Sequence, residues 1–371
     1  MRIAYVYDAV YPWVKGGGER RIYELSRRLA GRGHEVHCYG IKWWDGDSIQ
    51  TKDGVHLHGI CRPMGLYSGD RRSVKEALLF ALKILPSIKE SYDIIDCQEF
   101  PYFPCFSARL VSSMMKSKLF ITWLEVWGDY WQEYLGRMGM LGQAVERSCA
   151  RLADQNIAIS DRTKMDLEAL GAKDVKVIPT GIDFNHIAGV KASAEHSDVI
   201  FAGRLAGHKN VDLLIRALAR ERREVPDLRA VIIGDGPERS RLEKLSLDFG
   251  LSRNVSFRGF LDDHDQVISL IKSSRVFVMP SSREGFGIAA LEANACGLPV
   301  VTVDHRMNAV CDLLKEGTGF KCQVSDEDLG MAIRTGLEKG MGMRSACIDA
   351  ARGYDWDDLC LAAEKVYLSE D

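Results

Sequence analysis

Short apolar runs alternate with helix-length stretches along almost the whole chain, and this alternation restricts the fold more than any other feature. Ile3–Tyr7, Glu35–Tyr39, Val55–Gly59, Ile94–Cys97, Leu119–Thr122, Asn156–Ile159 and Val175–Ile178 read as strands. Helical patterns lie between them at Gly18–Gly31, Ser73–Ile88 and Leu141–Ala153. Strands separated by helices at this spacing predict parallel pairing in a doubly wound sheet, because a parallel connection must cross a face of the sheet. The pattern stops around Ile182–His196, which reads as a polar connector, and then restarts. The second series has strands at Asp198–Ala202, Arg229–Gly234, Val255–Arg258, Val276–Met279 and Val300–Val303. Its helices fall near Val211–Glu224, Arg239–Phe249, Asp262–Ser273 and Gly287–Ala295, and a last apolar-periodic helix spans Leu359–Leu368. The expected class is therefore α/β: two Rossmann-like, doubly wound parallel-sheet domains. Open sheets of this kind bind ligands outside the carboxyl ends of their strands, so two facing units would put a cleft between them.

Composition agrees. A chain of 371 residues suits two domains. Its 46% apolar and 27% charged residues exclude disordered and collagen-like classes. The net charge of −3 argues against a dedicated nucleic-acid binder. It splits into +2 over residues 1–185 and −5 over 186–371. No window reaches the ~18 apolar residues of a membrane span. The first apolar stretch is too short for a signal peptide and ends at Asp8, so it reads as a strand. Ten scattered cysteines form no CxxC pair and no zinc-spaced cluster. They predict free, mostly buried thiols in a reducing, cytoplasmic compartment and no metal site.

The segment after the strand Val276–Met279 carries the most chemistry. Pro280 and two serines lead into Arg283-Glu284-Gly285-Phe286-Gly287, and the helix over Ile288–Ala295 ends at Gly297. A helix start near Gly287 offers backbone amides and the positive end of the dipole to an anion. Gly285 and Gly287 let the backbone approach a ligand. Glu284 would lie beside that site and Glu292 about one and a half turns further on, roughly 7 Å along the axis. Two carboxylates so spaced can address two parts of one extended ligand, although a solvated pair of acids fits the spacing equally well.

Glu284-Gly285-Phe286-Gly287 with Glu292 resembles the Glu-x7-Glu signature of retaining nucleotide-sugar glycosyltransferases of the GT-B fold, and the wider resemblance, across essentially the whole chain, is to glycosyltransferase family 4. That resemblance implies that Glu284 contacts the donor sugar and Glu292 the nucleotide ribose, with Phe286, Gly287 and Ile288 framing the donor. It also implies that Arg204 and Lys209, in Gly203-Arg204-Leu205-Ala206-Gly207-His208-Lys209-Asn210, neutralise the leaving diphosphate. Arg binds phosphate bidentately and Lys as a point charge, which suits a strand end and helix start. Gly234-Asp235-Gly236-Pro237 resembles the family's Gly-x-Gly-Pro turn, as a donor-side contact or a purely structural turn. Phe260, after Arg258-Gly259, falls where the family positions the base.

In the first half, Gly16-Gly17-Gly18 follows a strand and opens a helix. It matches neither a Walker loop nor GxGxxG. The resemblance places it at the rim between donor phosphates and acceptor, while a tight turn alone is the other reading. Trp123, Trp127 and Trp131 recur at four-residue spacing, which fits core packing or contact with a sugar acceptor. Many family members carry His where this chain has Leu124. Leucine cannot hydrogen-bond, so Glu125 or Asp129 would have to compensate, or activity is altered. Ser160 reads as a helix cap.

The resemblance implies an acceptor-side domain over 1–185, a nucleotide-sugar domain over 186–354, and a terminal segment, 355–371, crossing back to the first domain. It implies a metal-independent, retaining hexosyl transfer from a UDP- or GDP-sugar to a carbohydrate or lipid-linked acceptor, with no further cofactor and no nucleic-acid partner. Rival readings are a nucleotide-sugar epimerase or hydrolase on the same fold, and a donor-binding protein without catalysis. Arg20, Arg21, Arg27 and Arg28 on the first helix, with Arg71, Arg72 and Lys75 ahead of another, suggest a basic face for peripheral contact with anionic lipid or simply a solvated one.

Overall fold

The computed structural model describes residues 1–68 and 71–369, and the chain forms two compact units. The first comprises Met1–Thr180 with Trp356–Asp371 and the second Gly181–Asp355.

The first unit contains β1 (Arg2–Val6), α1 (Gly17–Gly31), β2 (Glu35–Ile41), β3 (Ile49–Lys52), β4 (Val55–Cys61), α2 (Val74–Ser87), β5 (Ile94–Gln98), α3 (Phe103–Met115), β6 (Lys118–Trp123), α4 (Tyr130–Leu135), α5 (Gly139–Cys149), β7 (Gln155–Ala158), α6 (Asp161–Ala169) and β8 (Lys176–Val177). The sheet order is β8-β7-β6-β5-β1-β2-β4-β3. All pairings are parallel except β3 with β4. That edge hairpin turns at Asp53-Gly54, both with positive φ, the backbone a tight hairpin requires. The alternation of apolar runs missed β3, because three of its four residues are polar and half are exposed.

Each face of the sheet has its own core. Phe80 and Ile84 of α2 and Cys105, Ala108 and Val111 of α3 pack with Ile95, Leu119, Ile121 and Trp123 on one face. Leu25 and Leu29 of α1 pack with Tyr5, Phe120 and the terminal helix on the other. Strands buried on both faces read as continuous apolar runs, which is why β1, β5 and β6 were legible.

The second unit contains α7 (Phe184–Gly189), β9 (Ser197–Ala202), α8 (Val211–Glu221), β10 (Ala230–Ile233), α9 (Arg239–Asp248), β11 (Val255–Gly259), α10 (His264–Lys272), β12 (Ser274–Met279), α11 (Ile288–Ala295), β13 (Val300–Val303), β14 (Gly319–Cys322) and α12 (Asp326–Arg352). The six-stranded sheet runs β11-β10-β9-β12-β13-β14, all parallel. The connector expected to be irregular is partly helical: Asp183 accepts the His186 amide at 3.1 Å and starts α7. The Ile182 amide donates to the Tyr354 carbonyl at 2.9 Å. These contacts move the boundary from the expected 185/186 to Thr180/Gly181. The terminal helix, α13 (Trp356–Leu368), belongs to the first unit.

Candidate functional site

Two neighbouring strands of the second unit, β9 and β12, end beside each other, and their loops are tied together. The Ser282 amide donates to the His208 carbonyl at 2.9 Å, and Asn210 Nδ2 donates to the Pro280 carbonyl at 3.0 Å. Asn210 has positive φ, which turns the chain sharply from the short 3-10 turn Gly207–Lys209 into α8. Lys209 Nζ thereby reaches Glu284 Oε1 of the second loop in an ion pair. Ser281 Oγ donates to the same oxygen at 2.9 Å. The side chains of Lys209 and Glu284 are only 16% and 11% exposed, so their charges are held largely away from water. Glu284 is fixed along its backbone too, because its carbonyl accepts the Ala309 amide at 2.9 Å.

Arg204 lies exposed at the end of β9. Burial, Lys209, Arg283 and Arg204, in that order, push the His208 imidazole down to about 3. Burial lowers this imidazole most, and the three cations that lower it further report a local positive field. That field suits a bound polyanion, and Glu284 offsets the Lys209 charge within the loops.

Gly287 precedes α11 with φ of +93°, and a Cβ there would fall 2.3 Å from Val310 Cγ2. The position thus demands glycine both for backbone conformation and for space. Phe286 is buried, with its ring edge-on to Tyr354 at 5.9 Å, and Ile288 is half-buried. Glu292, buried in α11, meets His264 Nε2 of α10 at 2.8 Å through Oε1. No sequence pattern singled out His264: one polar residue at a helix start carries no periodic signal.

Gly234 has φ of +129°, and a Cβ would come within 1.9 Å of the Gly203 carbonyl. Its turn supports the Arg204 loop directly: the Leu205 amide donates to the Asp235 carbonyl at 2.9 Å and the Glu238 amide to Leu205 at 3.1 Å. Close backbone packing therefore accounts for this glycine. Arg258 pairs with Glu195, and Phe260 is 57% exposed.

In the first unit, Gly16 caps α1 and Gly17 begins it. Gly18 is buried, and a Cβ there would lie 3.0 Å from Leu124 Cδ1 and 3.5 Å from the Tyr7 hydroxyl. Leu124 thus packs on the glycine loop. Glu125 accepts the Trp127 indole N–H at 2.6 Å, while Asp129 is exposed and accepts from Gln143 at 3.3 Å. The tryptophans resolve to packing. Trp123 ends β6, Trp127 lies in the loop and Trp131 is in α4, so they do not form one helical stripe. All three are buried, and Glu146 accepts the Trp127 and Gly128 amides at 2.7 and 2.9 Å.

Three buried carboxylates of the first unit, Glu99, Glu76 and Asp8, were missed by sequence reasoning. Glu99 directly follows β5 and is pushed up to about 8 by burial, with the Leu124 and Glu125 amides drawing it back. Glu76 is likewise pushed up to about 7 by burial, with Asp8 adding to the rise, and the buried Asp8 pairs with Arg72. An acid immediately after an apolar strand was the available signal. Of the basic residues expected on one face of α1, Arg21 is turned inward and two are paired. Arg21 is 1% exposed and donates to the Ile178 carbonyl at 3.2 Å, and Arg27 and Arg28 both pair with Glu24. The Arg71 side chain lies outside the described residues. Among the described residues, no group of three His, Cys, Asp or Glu side chains is placed to hold a metal ion, and no helix is long and apolar enough to cross a membrane.

Two doubly wound units, one carrying a cationic loop pair at adjacent strand ends, define a glycosyltransferase of the GT-B fold. The Glycosyltransferase Family 4 model matches residues 15–186 and the Glycosyl transferases group 1 model residues 185–354, and the chain belongs to glycosyltransferase family 4. It is 26% identical over 381 residues to a phosphatidylinositol N-acetylglucosaminyltransferase subunit of Arabidopsis thaliana, covering 99% of this chain and 81% of that protein. It is 30% identical over 203 residues to a GDP-mannose-dependent alpha-(1-6)-phosphatidylinositol dimannoside mannosyltransferase of Mycobacterium tuberculosis, covering 52% of each. Among solved structures, sucrose-phosphate synthase of Thermosynechococcus elongatus superposes with a TM-score of 0.81 at 19% identity, over 99% of this chain and 98% of that one. HepE of Anabaena, crystallised with UDP and glucose, gives 0.75 at 21% identity, over 99% of each chain.

Proposed function

We propose that this glycosyltransferase is a metal-independent, retaining hexosyltransferase that moves a sugar from a UDP- or GDP-sugar to an acceptor hydroxyl in glycan, glycolipid or cell-envelope biosynthesis. The observation that carries the reading is the Lys209–Glu284 pair beside Arg204 and the Gly287 helix start, on the ends of adjacent strands. In this reading Arg204, Lys209 and the amides opening α11 hold the diphosphate, whose negative charge grows as the bond from the sugar's anomeric carbon to its oxygen breaks. Glu284 binds donor-sugar hydroxyls and Glu292, set by His264, the ribose. The acceptor oxygen bonds to the anomeric carbon on the face the diphosphate leaves, and its proton passes to a departing phosphate oxygen. Atoms and charge balance without a protein base.

The named activities of the plant and mycobacterial relatives support a lipid-linked acceptor, and the nucleotide in the Anabaena structure supports a nucleotide donor. Leu124, packed on Gly18, favours a second reading: donor binding with altered or absent transfer.

A thermal-shift screen of UDP- and GDP-sugars tests donor binding, since a ligand stabilises the state that binds it. One nucleotide class should raise the melting temperature, and magnetic resonance of the product should show the donor's anomeric configuration. No shift with any nucleotide sugar would overturn the proposal, inversion would overturn retention, and a shift without transfer would favour the Leu124 reading.

A further inference from the structure

α2 and α3 lie side by side, with Phe80, Ile84, Cys105, Ala108 and Val111 turned into one core. An amphipathic helix on a globular surface normally turns charge outward. These two do not. Val74, Leu78, Leu82 and Leu85 of α2 are 58%, 43%, 65% and 36% exposed. On α3, Phe106, Leu110 and Met114 are 39%, 52% and 68% exposed. The near four-residue spacing makes each set one outward stripe, and the packing of the helices joins the stripes into a single apolar patch.

The outward charge carried by the two helices is of one sign. Lys75, Lys83, Lys89 and Lys116 are exposed on or just beyond them. The only acid in either helix is Glu76, which is 1% exposed and turned inward. Glu90, past the end of α2, is paired with Arg2 at 2.5 Å. Apolar side chains interspersed with lysine, with the neighbouring carboxylates of Glu90 and Asp154 engaged by Arg2 and Arg109, match an anionic lipid surface, where hydrocarbon takes the leucines and headgroups take the lysines. Two copies of the patch face to face would oppose lysine to lysine, which argues against self-association. The patch starts at the carboxyl-end rim of the sheet: the first turn of α2 lies where Glu76 feels Asp8, just beyond β1, and α3 starts just beyond β5. The Tyr134 hydroxyl accepts the Arg72 amide just ahead of α2 at 2.9 Å. Tyr134 belongs to α4, which leads to the exposed Met138, Met140 and Leu141.

We propose that the outer face of α2 and α3 is a membrane-docking surface that lays the first unit on anionic lipid, beside the carboxyl ends of β1 and β5. The inference deepens the lipid-linked acceptor reading, but its test needs neither donor nor acceptor, so it can fail without transfer failing. The full chain is sedimented with vesicles of phosphatidylcholine alone or mixed with phosphatidylglycerol. Binding to the mixed vesicles, weakening with salt, is expected. Leu82→Gln with Leu110→Gln should lower partitioning at least about tenfold, from lost apolar burial. Lys75→Ala with Lys83→Ala should lower it about tenfold for mixed vesicles only. All four side chains are exposed, so both variants should melt with the wild type. No binding to mixed vesicles, binding unchanged by the leucine pair, or a dimer that the leucine pair dissolves while vesicle binding is absent would each overturn the proposal.

Discussion

Glu284 and Glu99 are both carboxylates set at strand ends and largely removed from water, yet the protein treats them in opposite ways. Glu284 has Lys209 and Ser281 on one oxygen, an ion pair and a hydrogen bond beside a cationic cluster. Glu99 has no cation paired with it in its hydrogen bonds, its Oε2 lacks a hydrogen-bond partner, and burial drives it up to about 8. Its native affinity for a proton exceeds that of the unfolded chain between about pH 4.5 and 8. Stability contributed by this group is therefore present below that window and is lost as pH rises through it. Glu99→Gln should melt above wild type, with the gain growing from pH 5 to pH 8, as read by calorimetry across pH. A melting difference independent of pH would contradict the assignment. The sequence exposed Glu284 because it lies in a glycine loop at a helix start. Glu99 and His264 were hidden, because their significance rests on burial and on a partner distant in the chain.

At the scale of elements, the long apolar-buried pieces were legible and the exceptions have physical causes. α12, which the sequence reading did not pick out, spans 27 residues although it contains Gly330, Gly336, Gly340 and Gly342, each unfavourable in a helix interior. Two of them instead let the helix lie close: a Cβ at Gly336 would sit 3.0 Å from Val276, and one at Gly340 3.0 Å from Pro299. Tertiary packing here outweighs helix propensity. α13 was legible as a helix, and it was the family resemblance, not its own pattern, that implied its return to the first domain. Trp356 is fully buried with Leu359, Cys360 and Ala363 in the core of the first unit. The Tyr367 hydroxyl donates to Asp96 at 2.5 Å and lies 3.2 Å from the Tyr5 hydroxyl. Trp356→Ala should cost about 3–5 kcal/mol by opening a cavity, with Trp356→Phe milder. The urea midpoint of the first unit checks this, and an unchanged midpoint in the alanine variant would contradict it.

At the scale of the molecule, the two β-α series were visible in sequence as two runs of strand–helix alternation, and the structure divides the chain into two units with the tail returned to the first. Net charge explains none of the chemistry. Residues 186–371 sum to −5, yet they contain the loop pair that holds His208 among three cations. Local geometry sets the field there, because screening confines each charge to its neighbourhood within about 10 Å. The central claim is that this loop pair stabilises a departing nucleoside diphosphate. It is tested most directly by comparing nucleoside diphosphate release from the stabilising donor by the wild type and by Lys209→Ala, each supplied with acceptor. The account predicts turnover by the wild type and a fall in kcat of at least about a hundredfold in the variant, with the melting temperature little changed. Full turnover by Lys209→Ala would contradict it.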